Sequence, residues 1–157
     1  MISVKNFRDF GHLAGPSEFN IKNQRIVRTD LRLQNKRGFT LECSFFKHQG
    51  IDTKLPCVVF LHASGSSRLE VVQYKNSILS NNVNLFCFDF TACGKSEGTY
   101  SSVGWFEQDD LACIIQYLRN LDCVGPIILW GRSMGAVAAL FYAEKDPNLA
   151  GLILDSP

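Results

Sequence analysis

Residues 127–140 read IILWGRSMGAVAAL, and the order of residue types in that stretch decides the fold. Ile127–Trp130 is a short apolar run without polar alternation, which suits a strand buried on both faces. Gly131-Arg132-Ser133-Met134-Gly135 follows. An alanine-rich helical segment, Met134–Glu144, begins at once, carrying Ala136, Ala138, Ala139 and Ala143, and Asp146-Pro147 closes it. Strand, tight turn and helix in that order are the setting in which G-x-S-x-G forms a nucleophile elbow. Gly131 and Gly135, two residues to either side of the serine, allow the turn and a close helix–strand approach. The corner is expected to push the Ser133 hydroxyl out above the sheet and to aim the Met134 N–H toward a developing oxyanion. The competing interpretation is an ordinary turn whose serine caps the helix.

Outward from that corner the same grammar repeats. Cys57–Leu61 (CVVFL), Leu85–Phe88 (LFCF) and Leu152–Leu154 (LIL) are further short apolar runs. Helical stretches separate them. Leu69–Ser80 places Val71, Val72, Ile78 and Leu79 on one side, and Glu107–Leu121 carries Leu111, Ile114, Ile115, Leu118 and Leu121 at helical spacing. Asp109 and Asp110 near the start of the latter suit the positive end of a helix dipole. Strand–helix alternation of this kind predicts an α/β fold with a mostly parallel sheet and right-handed crossovers. Chemistry in such sheets collects in loops at the carboxyl ends of strands. Toward the N-terminus, residues 25–46 alternate apolar and polar around the turn signal Asn35-Lys36-Arg37-Gly38, which predicts an antiparallel hairpin. Residues 1–24, with Gly15-Pro16-Ser17 and weak periodicity, read as an N-terminal arm.

The loop after the first run, His62-Ala63-Ser64-Gly65-Ser66-Ser67-Arg68, lies on the same side as Ser133. It is the place for a second oxyanion donor, worth about 3–4 kcal/mol to a transition state. The Ser64 N–H is the candidate, with Ala63 the weaker one. His62 is expected to brace this loop rather than to act as a base, since general-base work needs hydrogen-bond reach that nothing here secures. A solvated Ser/Gly loop is the alternative.

These segments resemble the α/β-hydrolase superfamily, in its esterase, lipase and serine-aminopeptidase-like branch. PCVVFLHASGSSR is similar to that branch's strand and oxyanion loop, FDFTACGKSEG to its D-x-x-G-x-G-x-S segment, WGRSMGAVAAL to its elbow and LAGLILDSP to the strand that follows. The resemblance implies a three-layer α/β-hydrolase fold whose N-terminal part occupies residues 25–157. It also implies a serine hydrolase acting on an ester, thioester or amide-like acyl substrate, with Ser133 as nucleophile and no cofactor. Two positions depart from the pattern. Ala63 stands where a glycine usually follows the histidine, and Ala92 replaces the first glycine of the D-x-x-G-x-G-x-S segment. Alanine fits poorly wherever such a position needs positive φ.

Triad order in this fold is Ser, then Asp or Glu, then His. After Ser133 come Glu144, Asp146 and Asp155 but no histidine; His12, His48 and His62 all lie upstream. The chain therefore reads as the nucleophile-bearing part of a hydrolase that lacks the triad acid and base and is inactive or incomplete alone. The alternative is a non-catalytic, hydrolase-derived binding module. Either could associate with a missing C-terminal half, or with itself through the sheet edge left at residues 152–154. Asp155 is expected to tie a loop rather than replace the triad acid, Asp89 to bond backbone amides, and Glu144 and Asp146 to be solvated. Trp105 and Phe106 read as core or cap packing at a helix start.

Composition excludes other classes. The 157 residues are 46% hydrophobic and 20% charged, enough for one globular domain and too apolar for disorder. A formal net charge of +1 without a basic stripe argues against nucleic-acid binding. No apolar run is long enough to span a membrane as a helix, and the N-terminal stretch lacks a signal-peptide core. Six cysteines without a CxxC pair, several of them in apolar runs, suit a reducing, cytoplasmic setting. No group of residues has metal-ligand spacing, so no metal is expected. Cys93-Gly94-Lys95-Ser96 resembles the end of a phosphate-binding loop, but Asp89 occupies the place of the first glycine. A long helix starting at Ser96 would be needed to revive that interpretation.

Overall fold

Alternation in residues 25–46 becomes two long strands, β2 (Gln24–Gln34) and β3 (Thr40–His48), paired antiparallel from Ile26–His48 to Gln34–Thr40. The computed structural model describes residues 14–157, so the first 13 residues of the expected arm, and His12 with them, lie outside the described residues. The remainder of that arm is more ordered than its weak periodicity suggests. Glu18–Ile21 forms β1, an edge strand on β2, closed by Lys22 and Asn23 in the left-handed region.

The four apolar runs are strands: β4 (Leu55–Leu61), β5 (Asn84–Phe88), β6 (Val124–Arg132) and β7 (Gly151–Asp155). The sheet order is β1-β2-β3-β5-β4-β6-β7. β5, β4, β6 and β7 run parallel, and β3 joins β5 antiparallel. β4 and β5 are buried on both faces as their unbroken hydrophobicity requires, but Leu152, Ile153 and Leu154 of β7 are exposed. β6 runs two residues beyond Trp130, through Gly131 and Arg132, because both continue the parallel ladder against Leu154 and Asp155.

Helices cover the two faces. On one, a 3₁₀ turn (Arg68–Val71) leads into α1 (Val72–Leu79), and Val71, Ile78 and Leu79 pack on Ile26, Phe46, Phe60 and Leu85. The 3₁₀ start is set by Ser67, whose hydroxyl accepts the Leu69 N–H. On the other face lie α2 (Glu107–Arg119) and α3 (Met134–Ala143). Leu111, Ile114, Ile115 and Leu118 pack with Met134, Ala138 and Ala139 against Val59, Leu61, Phe86 and Leu129. The small residues of α3 let it lie close to the sheet. The result is the three-layer arrangement expected, and it places the loops after β4, β5, β6 and β7 on one end. No helix among the described residues is long and apolar enough to cross a membrane.

Candidate active site

Ser133 joins β6 to α3 with φ 47° and ψ −116°, a strained conformation for a residue with a side chain. The strain is held from both sides. The Ser133 N–H donates to the Asp155 carbonyl at 2.8 Å, and the Ser133 carbonyl accepts the Ala136 and Val137 N–H groups at 2.8 and 3.1 Å. Ser133 is exposed, and its side chain makes no capping hydrogen bond to α3, so it is not a helix-capping serine. The flanking glycines are required by space. A Cβ on Gly131 would stand 2.4 Å from the Gly135 carbonyl oxygen, and one on Gly135 2.3 Å from the Leu61 carbonyl oxygen. Among the described residues no hydrogen bond engages the Met134 N–H at the start of α3. The Met134 side chain is buried, with its sulfur 3.2 Å from Ser101 Oγ.

The loop after β4 faces this corner. Ser64 is exposed, whereas the Ala63 N–H is already committed to Glu70 Oε2 at 2.9 Å. His62 is fully buried and both ring nitrogens are engaged. Nε2 accepts the Phe90 N–H at 3.1 Å, so Nδ1 carries the proton, 2.8 Å from the Ala63 carbonyl. Burial lowers its pKa, against the opposing influence of Asp89, and keeps the ring neutral. His62 thus ties the β4 loop to the β5 loop and has no free nitrogen for Ser133. His48, the other described histidine, is buried beside the Val83 carbonyl.

The carboxylates divide by partner. Asp89 is buried and accepts the Arg68 N–H at 2.6 Å and the Lys95 N–H at 2.9 Å, and it pairs with the Arg68 guanidinium. Asp155 pairs with Arg132 Nε at 2.7 Å, and the hydrogen bond from Arg132 holds its pKa below the usual range. Asp146 is not solvated as expected. It is buried between Arg119 and Tyr142 because the chain folds back after α3, and it accepts the Asn148 N–H. Glu107 is a carboxylate that the sequence reading passed over. Burial opposes its charge, but hydrogen bonds from the Ser102 and Ser101 hydroxyls and the Ser102 and Gly104 amides outweigh burial and lower its pKa. Through Ser101 it anchors the loop that touches Met134.

Trp105 and Phe106 are not core residues. They are 59% and 48% exposed, because the Glu107 cradle turns the 101–106 loop outward. Trp105 meets Phe141 edge-on and Phe106 stacks on Arg37. The phosphate-loop resemblance has no structural counterpart: residues 91–98 are turns, and a Cβ on Gly94 would lie 2.3 Å from the Asp89 carboxylate. An anion is already built into that curve. Ala92 does adopt positive φ, 66°, whereas Ala63 does not. The departure at Ala92 therefore carries strain and the one at Ala63 carries none.

A mixed sheet in which β5, β4, β6 and β7 run parallel, with helices on both faces and a strained serine corner after β6, defines an α/β hydrolase. Residues 53–157 match the serine aminopeptidase, S33, family model, and the chain belongs to that family. Human monoglyceride lipase is 30% identical over 139 residues, covering 85% of this chain and 45% of the lipase. The uncharacterized protein YqkD of Bacillus subtilis is 33% identical over 87 residues, 55% of this chain and 28% of that protein. The fold is shared with the Pyrococcus furiosus esterase Pf2001, at a TM-score of 0.76 and 22% identity over 99% of this chain and 54% of the esterase. A lidless α/β serine hydrolase of Xanthomonas campestris superposes with a TM-score of 0.68 at 22% identity, over 81% of this chain and 60% of that one. The chain spans less than half the length of the curated relatives it matches.

Proposed function

We propose that this chain carries the nucleophile and oxyanion-binding part of a serine hydrolase acting on an ester, thioester or amide-like acyl substrate. Ser133 Oγ attacks the acyl carbonyl, its proton passes to a base, and the carbonyl electron pair moves onto oxygen. The Met134 and Ser64 amides hold that oxyanion. Collapse of the tetrahedral adduct expels the leaving group with a proton, and water then releases the acyl group from Ser133. Gly131 and Gly135 permit the corner, and His62 holds the loop that presents Ser64. The observation that carries this reading is the exposed Ser133 on a strained strand-to-helix turn, with the Met134 N–H beside it unpartnered among the described residues. The base is a histidine outside the described residues, because both ring nitrogens of His62 are engaged and His48 is buried beside the Val83 carbonyl. These residues alone therefore turn over little, and the free, mostly buried cysteines suit a reducing compartment.

Fluorophosphonate labelling of the protein carrying this chain tests the assignment. Ser133→Ala abolishes labelling and p-nitrophenyl acetate hydrolysis; undiminished labelling of that variant refutes it. Fast, Ser133-dependent hydrolysis by the 157 residues alone would refute the need for an outside base.

A further inference from the structure

Two strand ends and a 3₁₀ turn meet at one guanidinium. Arg132, the residue before Ser133, lies at the end of β6, between β4 and β7 in the sheet. It pairs with Glu70 on one side and donates through Nε to Asp155 Oδ2 at 2.7 Å on the other. Glu70 uses its second oxygen to accept the Ala63 N–H at 2.9 Å. The Asp155 carbonyl accepts the Ser133 N–H at 2.8 Å. A continuous chain of contacts thus runs from the β4 loop, through Glu70, Arg132 and Asp155, to the backbone of the serine corner.

We propose that Glu70 and Arg132 are positioning residues that fix the Ser64 amide relative to the Met134 amide, so that both face one oxyanion. The inference rests on the hydrolase reading given above and deepens it. Glu70 takes the Ala63 amide out of the set of free donors, and the next residue, Ser64, is exposed. Its side chain is only 7% exposed and stands in the 3₁₀ turn that Ser67 caps, so its own position is fixed. Arg132 presents a planar fork with separate donors for two carboxylates, which a lysine cannot reproduce. It also pairs with both Glu70 and Asp155 and offsets one of their two negative charges. Without it, two negative charges stand beside the place where a third develops. Neither residue touches the reacting atoms; they act through the loop and the corner they join.

The test is steady-state hydrolysis of p-nitrophenyl acetate by the protein carrying this chain, with Ser133→Ala, Glu70→Gln, Arg132→Met and Arg132→Lys compared. Displacing a group by about 1 Å costs about 100-fold in rate. Glu70→Gln and Arg132→Met are therefore expected to lower kcat by about 10- to 100-fold, with KM changed by less than about threefold. Arg132→Lys restores part of the loss. Affinity for a trifluoromethyl ketone, which forms an oxyanion on the serine, falls in step with kcat/KM. Unchanged kcat in both variants, with turnover abolished by Ser133→Ala, overturns this inference and leaves the hydrolase reading standing. Full turnover in Ser133→Ala overturns both. A fall in kcat matched by an equal fall in folded fraction overturns the positioning role.

Discussion

Gly135→Ala sets two physical effects against each other. Gly135 is the second residue of α3, and inside a helix alanine is favoured over glycine by about 1 kcal/mol. Propensity alone predicts a more stable protein. Space predicts the reverse. The added Cβ would lie 2.3 Å from the Leu61 carbonyl oxygen and 2.7 Å from its carbon, where ordinary contact begins at 3.4 Å. The obstacle is the backbone of β4, a strand in the middle of the sheet, so no rotamer change relieves it and α3 must lift by about 1 Å. Overpacking costs about 1–3 kcal/mol, and an immovable neighbour places this case at the upper end. The net effect is a loss of about 2 kcal/mol, or about 4–8 °C in Tm for a domain of this size. Thermal and urea unfolding followed by far-UV circular dichroism measures it. Gly151→Ala is the control, since a Cβ there meets nothing within 4 Å, and its Tm should stay within about 1 °C of the parent. A Gly135→Ala protein melting at or above the parent would refute the close-approach argument, and with it the explanation of why the motif carries this glycine.

Ala92, at φ 66° and buried, offers a second stability test. Ala92→Gly relieves about 1–2 kcal/mol of left-handed strain but gives up a buried methyl and frees the unfolded chain, together about 1–2 kcal/mol. Stability should therefore stay within about 1 kcal/mol, whereas Ala92→Val, β-branched at positive φ, should lose about 2 kcal/mol; equal urea midpoints for glycine and valine would contradict this. Glu107 predicts a pH effect. Its folded pKa lies below its unfolded value, so the stability it contributes is present above about pH 4.3 and is lost as pH falls through the folded pKa. Glu107→Gln should be less stable than the parent at pH 7 and should show a shallower loss of Tm toward pH 3. Parallel Tm–pH curves would disprove it.

The core of the fold was written in local pattern. Buried strands in the middle of the sheet must be apolar on both faces, and Cys57–Leu61 and Leu85–Phe88 declare themselves for that reason. The corner at Ser133 is legible because only glycine fits at 131 and 135, so geometry leaves its mark on residue identity. His62 was read as a brace from its place in the loop after the first apolar run; that its two ring nitrogens meet the Ala63 carbonyl and the Phe90 N–H is a fact of the folded chain. Partners distant in sequence were not legible. Asp146 looks like a solvated helix-end acid until the fold sets Arg119 and Tyr142 around it. Trp105 and Phe106 read as core or cap packing; Phe106 does stand at the N-cap of α2, but both side chains are exposed.

Sequence alone settled which residues could form the layers and which serine stands at the strand-to-helix corner, because hydrophobic period and the size of a side chain act over a few residues. Only the folded sheet decided that Glu70, Arg132 and Asp155 stand side by side. Glu70 and Arg132 are 62 positions apart, and what joins them is the adjacency of β4, β6 and β7. That adjacency comes from packing the whole sheet, and no local pattern in the chain encodes it.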